Sequence, residues 1–132
     1  MKIPKHIKIY GDQSYRGECP NESVDQKKFM RFVRTTEYGR LAIHIKNEGK
    51  RTQGQALFDK SQGMVKGASD IIIPASPAFV CEMKRKNHMK SSISQEQIIY
   101  LLAAQEKGAF TCVALGYEGA IDAFNEWRLL VN

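Results

Sequence analysis

Two short apolar runs, "IIIP" at residues 71–74 and "AFVCEMK" at 78–84, are joined by only a few residues, with Pro74 and Pro77 among them. Parallel strands need a crossover of about a dozen residues or more, so so short a link dictates an antiparallel hairpin. That hairpin begins with an acid, Asp70, and ends with Glu82-Met83-Lys84. Folding back therefore brings Asp70 near Glu82. Because strand side chains alternate, Glu82 and Lys84 share one face while Cys81 and Met83 share the other.

A carboxylate at the end of an apolar strand is costly to bury alone, so it is expected to be paired, solvated or bound to a metal. For "EMK" by itself the plainer reading is an exposed strand end. Asp70 on the partner strand changes this, because two acids make an oxygen site suited to Mg²⁺, which binds one or two carboxylates together with waters and phosphate oxygens. Lys84 then faces a substrate phosphate. Such a set suits phosphodiester hydrolysis: the cation acidifies water and neutralises charge, and the lysine orients or stabilises the attacking group.

The flanking segments build a sheet with helices around the hairpin. Asn21 is a candidate cap for a helix over 22–35, with Val24, Phe29, Phe32 and Val33 roughly on one face. "RLAIHIK" at 40–46 alternates like a strand, with Leu41, Ile43 and Ile45 on one side. A short helix ending at Gly63 is compatible with residues 52–63. Ser94 with Gln97 three residues later forms a capping-box pattern for a helix that stops at Gly108. "AFTCVAL" reads as a buried strand, and "YEGAIDAFNEWRLLV" as a helix with Ala120, Ala123, Phe124 and Trp127 inward. The helix between the last two strands is long enough for a parallel crossover, so an α/β fold with a mixed central sheet flanked by helices is expected. The chain, 1–132, reads as one domain, with 1–20 as an N-terminal arm or an edge strand.

Charge and cysteine content narrow the partner and the compartment. A net charge of +6 and a pI near 9.3 suit a polyanion such as nucleic acid. Cys19, Cys81 and Cys112 are odd in number and far apart, and two lie in apolar runs, as buried thiols in a reducing cytoplasm do. The N-terminus lacks the apolar core of a signal peptide, and no run approaches the ~20 apolar residues of a membrane span. A soluble cytoplasmic protein without a membrane partner is expected. No CxxC or HExxH is present, and His6, His44 and His88 are too scattered for a zinc site. "NH" at 87–88 lacks the further histidines of an HNH nuclease.

On these residues the chain resembles the PD-(D/E)XK (restriction-endonuclease-like) nucleases, through Asp70 and Glu82-Met83-Lys84. More closely it resembles their VRR-NUC branch, the virus-type replication-repair nucleases. The resemblance rests on "KNEGKR" at 46–51, "GMVKGASDIII" at 63–73, "FVCEMKRK" at 79–86 and "SQEQIIYL" at 94–101. It covers about residues 22–127. Ser69 stands where the superfamily's name has proline, and leaves the acid in place. Gly63 and Gly67 allow a sharp turn before Asp70.

The resemblance implies a Mg²⁺-dependent DNA endonuclease, Mn²⁺ substituting, with Asp70, Glu82, the Met83 carbonyl and Glu22 as metal ligands. Lys84 assists, and Gln97 contacts the site. For the first-helix acid Glu22 fits best and Asp25 is the rival. Helical spacing does not separate them, and either would also favour the helix dipole. Gln97 has the second reading of a cap for its own helix. Lys50, Arg51, Lys86 and Lys90 are candidate phosphate contacts beside the plainer reading of solvated charge. Standalone relatives imply a homodimer cutting branched DNA such as four-way junctions, in phage-type replication, recombination or repair, and hence a host cytoplasm. The competing readings are a non-catalytic nucleic-acid-binding module with a nuclease-like fold and a structural partner with a basic surface. No element that reads base sequence is evident.

Overall fold

The hairpin forms, and the sheet grows outward from it. The computed structural model describes residues 1–45 and 52–132. Its elements are β1 (Lys8–Tyr10), α1 (Glu22–Val33), β2 (Ile43–His44), α2 (Gln53–Ser61), β3 (Ile71–Ile73), β4 (Phe79–Lys84), α3 (Gln95–Glu106), β5 (Phe110–Leu115) and α4 (Gly116–Leu130). A 3₁₀ turn, His88–Lys90, lies between β4 and α3. The strands lie in the order β1-β5-β4-β3-β2. β3 pairs antiparallel with both β4 and β2, while β5 pairs parallel with β4 and with β1. The sheet is therefore mixed, and α3 is the parallel crossover from β4 to β5.

Alternation along β4 divides the core. Phe79, Cys81 and Met83 face α1 and α4, where they meet Phe29, Val33, Ala120, Ala123, Phe124 and Trp127. Five of the aromatic rings interlock there: Phe29, Phe79 and Phe124 have centroids 5.9–6.3 Å apart. Trp127 lies 5.3 Å from Phe79 and 4.6 Å from Tyr38, and donates its indole N–H to the Pro77 carbonyl at 2.8 Å. Val80 faces the other way, with Val113 and Leu115 of β5, onto Leu101 of α3. Glu82 and Lys84 follow Val80 on this α3 side. Cys81 and Cys112 are buried neighbours in the β4–β5 register, and all three cysteines are free.

Two inward faces differ from expectation. In α1 the buried residues are Asp25, Gln26, Phe29 and Val33, and Val24 is exposed. Val24 precedes Phe29 by five residues, about 140° round the helix at 100° per residue, so it cannot share the core stripe. In the second strand region, Leu41 and Ile43 are largely exposed and Ala42 is buried. A turn in which Leu41 and Ala42 both donate to the Tyr38 carbonyl takes up Leu41. Among the described residues of this stretch, Ile43 and His44 pair with β3, at the sheet edge, where one side of a strand has no neighbouring strand. Residue 46, at the end of the expected strand, lies outside the described residues.

At the other edge, β1 places Lys8–Tyr10 of the N-terminal stretch against β5. No helix among the described residues is long and apolar enough to cross a membrane.

Candidate functional site

Hairpin register decides where the acids meet. Ile71 pairs with Cys81, so one step nearer the strand start Asp70 stands opposite Glu82, on the same face. The Met83 amide leaves the ladder and donates to Asp70 Oδ2 at 2.8 Å. Met83 itself turns its side chain into the core, so only its backbone can serve the site. Asp70, Glu82 and Lys84 are 5%, 1% and 5% exposed. Three ionisable groups are thus gathered out of water at the end of two strands.

Lys84 organises the cluster. Its Nζ lies 3.9 Å from Glu82 Oε2 and 4.0 Å from Glu22 Oε1, so an acid flanks it on either side. It donates to Gln97 Oε1 at 3.2 Å. The same Gln97 oxygen accepts from the Ser94 amide at 2.9 Å, and Ser94 Oγ accepts from the Gln97 amide, which completes the capping box. Gln97 Nε2 reaches Glu82 Oε2 at 3.5 Å. The two readings of Gln97 are therefore compatible: it caps α3 and touches the site at once. Gly67 allows the close approach behind it, with φ of +83° and space so tight that a Cβ would meet the Glu96 carbonyl carbon at 2.5 Å.

Electrostatics mark Glu82 as the group out of balance. Burial pushes its carboxyl up to about 10, the hydrogen bond with Asp70 and the Asp70 charge add to this, and Lys84 acts in the opposite direction. In the absence of a cation, Glu82 holds a proton at neutral pH. With both acids ionised, Glu82 Oε1 is buried without a hydrogen-bond donor. Two adjacent carboxyls with one oxygen lacking a donor fit a hard divalent cation, which would take the place of that proton. Among the described residues no group of three His, Cys, Asp or Glu side chains is close enough to hold a metal alone. A donor set of two acids leaves the remaining positions to backbone oxygen, water or substrate, as Mg²⁺ favours.

Glu22 and Asp25 part company in three dimensions. Glu22, the first residue of α1, lines the same open cleft of about 380 Å³ as Glu82, Lys84 and Gln97. Asp25 turns toward α4 instead. There the Tyr117 amide acts to lower its carboxyl, at a helix start where Leu115 offers no capping side chain, and its Oδ2 is buried without a hydrogen-bond partner. Burial, then the nearby Glu118 charge, raise its carboxyl above the usual range, and Lys28 pulls the other way. Asp25 thus faces the start of α4 and not the cleft.

Of the candidate phosphate contacts, Lys90 lines the cleft, together with Ser91, Ser92 and Ser94. Lys86 does not; its ammonium lies 4.5 Å over the Tyr15 ring. Lys50 and Arg51 lie outside the described residues. The serines of the cleft wall, and the contacts that Arg85, Asn87 and His88 make with residues 13–20, were beyond sequence reading. Those partners are some 65 to 75 positions apart and share no periodicity. Two larger clefts, of about 460 and 690 Å³, lie elsewhere, and neither sets two acids beside a lysine.

A mixed sheet with helices on both faces, an acid at the head of one strand and Glu-x-Lys at the end of the next, defines a PD-(D/E)XK-like α/β architecture. A solved structure described as a VRR_NUC domain protein shares this fold, with a TM-score of 0.71 at 18% identity, covering 88% of this chain and 93% of its own. The VRR-NUC-type fold that the motifs implied is therefore the fold of this chain. No protein-family model matches the sequence, and comparison with curated proteins yields no match.

Proposed function

We propose that the chain is a Mg²⁺-dependent DNA endonuclease acting on branched DNA, four-way junctions included. The observation that supports it most is the opposition of Asp70 and Glu82 across β3 and β4, with Lys84 beside Glu82 and one buried Glu82 oxygen lacking a donor. Asp70, Glu82 and the Met83 carbonyl would hold the cation, with Glu22 on the far side of Lys84. Bound there, a divalent cation supplies charge neutralisation at the scissile phosphate and an acidified water. Lys84, anchored by Gln97, presents a positive charge toward the phosphate in the cleft, and Glu22 is placed to orient a water against Lys84. Lys90 and the serines of the cleft wall would grip the strand. Cutting two strands of a branched substrate calls for two such sites, which favours a homodimer.

The second reading, a binding module without catalysis, draws support from the lack of a third metal-binding side chain beside the two acids among the described residues. One experiment separates them. The intact protein is incubated with supercoiled plasmid, linear duplex and a synthetic four-way junction, with Mg²⁺, Mn²⁺ or EDTA, beside Lys84→Ala. Metal-dependent cleavage lost in Lys84→Ala supports the enzyme. Gel-shift binding with no cleavage under any metal condition leaves the binding module.

A further inference from the structure

The segment that follows the catalytic strand holds the N-terminal arm. Arg85 donates from Nε to the Pro20 carbonyl at 3.1 Å and from Nη2 to the Cys19 carbonyl at 2.7 Å. Its own amide donates to Ser91 Oγ at 2.9 Å. Next, Lys86 covers Tyr15, Asn87 donates to the Gly17 carbonyl at 3.1 Å, and the His88 ring bonds the Gln13 carbonyl at 3.0 Å. Four consecutive residues, 85–88, thus fasten residues 13–20.

What this fastening controls follows from chain order. The arm leads through Asn21 directly into Glu22, the first residue of α1, and Asn21 makes no side-chain cap there. A helix start without a cap frays. The Glu22 carboxylate nevertheless stands 4.0 Å from Lys84, the residue immediately before Arg85. The carbonyls of Cys19 and Pro20 are the two that precede Asn21, and one planar guanidinium grips both. Only arginine presents two donors in a fixed fork of this kind.

We infer that Arg85 is a positioning residue, which holds Glu22 beside Lys84, on the far side from the proposed metal, by clamping the two carbonyls that precede Asn21. Arg85 is not among the residues that line the cleft, and it acts through Glu22. This rests on the proposed metal-dependent function, and it extends that function by making the arm part of the site.

The test is a double-mutant cycle on the full chain, read by Mn²⁺ binding in calorimetry and by Mg²⁺ half-saturation of junction cleavage. Loss of an outer partner of a metal site costs about ten- to a hundredfold in metal affinity. Glu22→Gln and Arg85→Ala are each expected to weaken Mn²⁺ binding by about tenfold, and the double variant no more than either alone, because both remove one contact. Arg85→Lys is expected to fall between wild type and Arg85→Ala. Thermal unfolding of each variant is followed alongside, since a merely structural role would lower stability and add to the effect of Glu22→Gln. Unchanged metal binding in Arg85→Ala, or full additivity in the double variant, overturns the inference. So does Glu22→Gln with wild-type binding. A wild-type chain that binds no Mn²⁺ overturns the metal-dependent function itself.

Discussion

Replacing Glu82 with glutamine should make the metal-free protein more stable while abolishing the proposed cleavage of DNA. The carboxyl of Glu82 ordinarily titrates at 4.5 and is raised to about 10 in the fold, first by burial and then by Asp70. A raised value means that its share of stability is fully present below 4.5 and is lost as pH climbs toward about 10. From 4.5 to neutrality is about 2.5 pH units, at about 1.4 kcal/mol each, so the buried acid costs the fold on the order of 3 kcal/mol at pH 7. Glutamine has the same shape, cannot ionise, and keeps an N–H to donate to Asp70. Allowing for an imperfect replacement hydrogen bond, Glu82→Gln should gain about 1–3 kcal/mol at pH 7, several degrees in Tm for a chain of this size. Urea unfolding of both proteins in EDTA from pH 4 to 9 measures it. The stability difference should be near zero at pH 4 and widen with pH. A difference that is flat across this range, or a Glu82→Gln chain less stable at pH 8 than wild type, would refute the claim that Glu82 is held protonated by its surroundings.

Other outcomes follow from the same geometry. Asp25→Ala should leave the metal dependence of cleavage unchanged, because its side chain faces the start of α4 and not the cleft; a Mg²⁺ titration of nicking measures it. Gly67→Ala should cost at least about 2 kcal/mol in thermal unfolding, because its φ of +83° is strained for alanine and the new Cβ meets the α3 backbone. Lys90→Gln should weaken junction binding in Ca²⁺ and reduce the salt slope by about one, whereas Lys86→Gln, drawn off to Tyr15, should leave the slope alone; fluorescence anisotropy across salt concentrations reads both.

Much of this was legible from local pattern. The link between Ile73 and Phe79 is too short for anything but a hairpin, and a hairpin brings Asp70 near Glu82; the register that sets them opposite each other came with the fold. The Ser94–Gln97 capping box is read within four residues and forms as read. The inward stripe of α4, at Ala120, Ala123, Phe124 and Trp127, is set by a 3.6-residue period. The expectation for the strand at 40–46 was less sound, because alternation says which residues share a side but not whether that side has a sheet or water beneath it.

By itself, then, the chain's sequence determined the helices, the hairpin and the identity of the acid-acid-lysine set, since each depends on neighbours within a few turns. Tertiary structure alone set Glu22 and Asp25, three residues apart on one helix, in different surroundings. The cleft lies by the α1 start, and the uncapped start of α4 lies by the next turn, so each acid went to the nearest unmet charge or amide. It also decided the fate of residues 85–88, whose basic and polar side chains hold an arm 65 to 75 positions earlier instead of facing solvent. Contacts at that separation are fixed by how helices and strands pack, and packing leaves no period in a sequence.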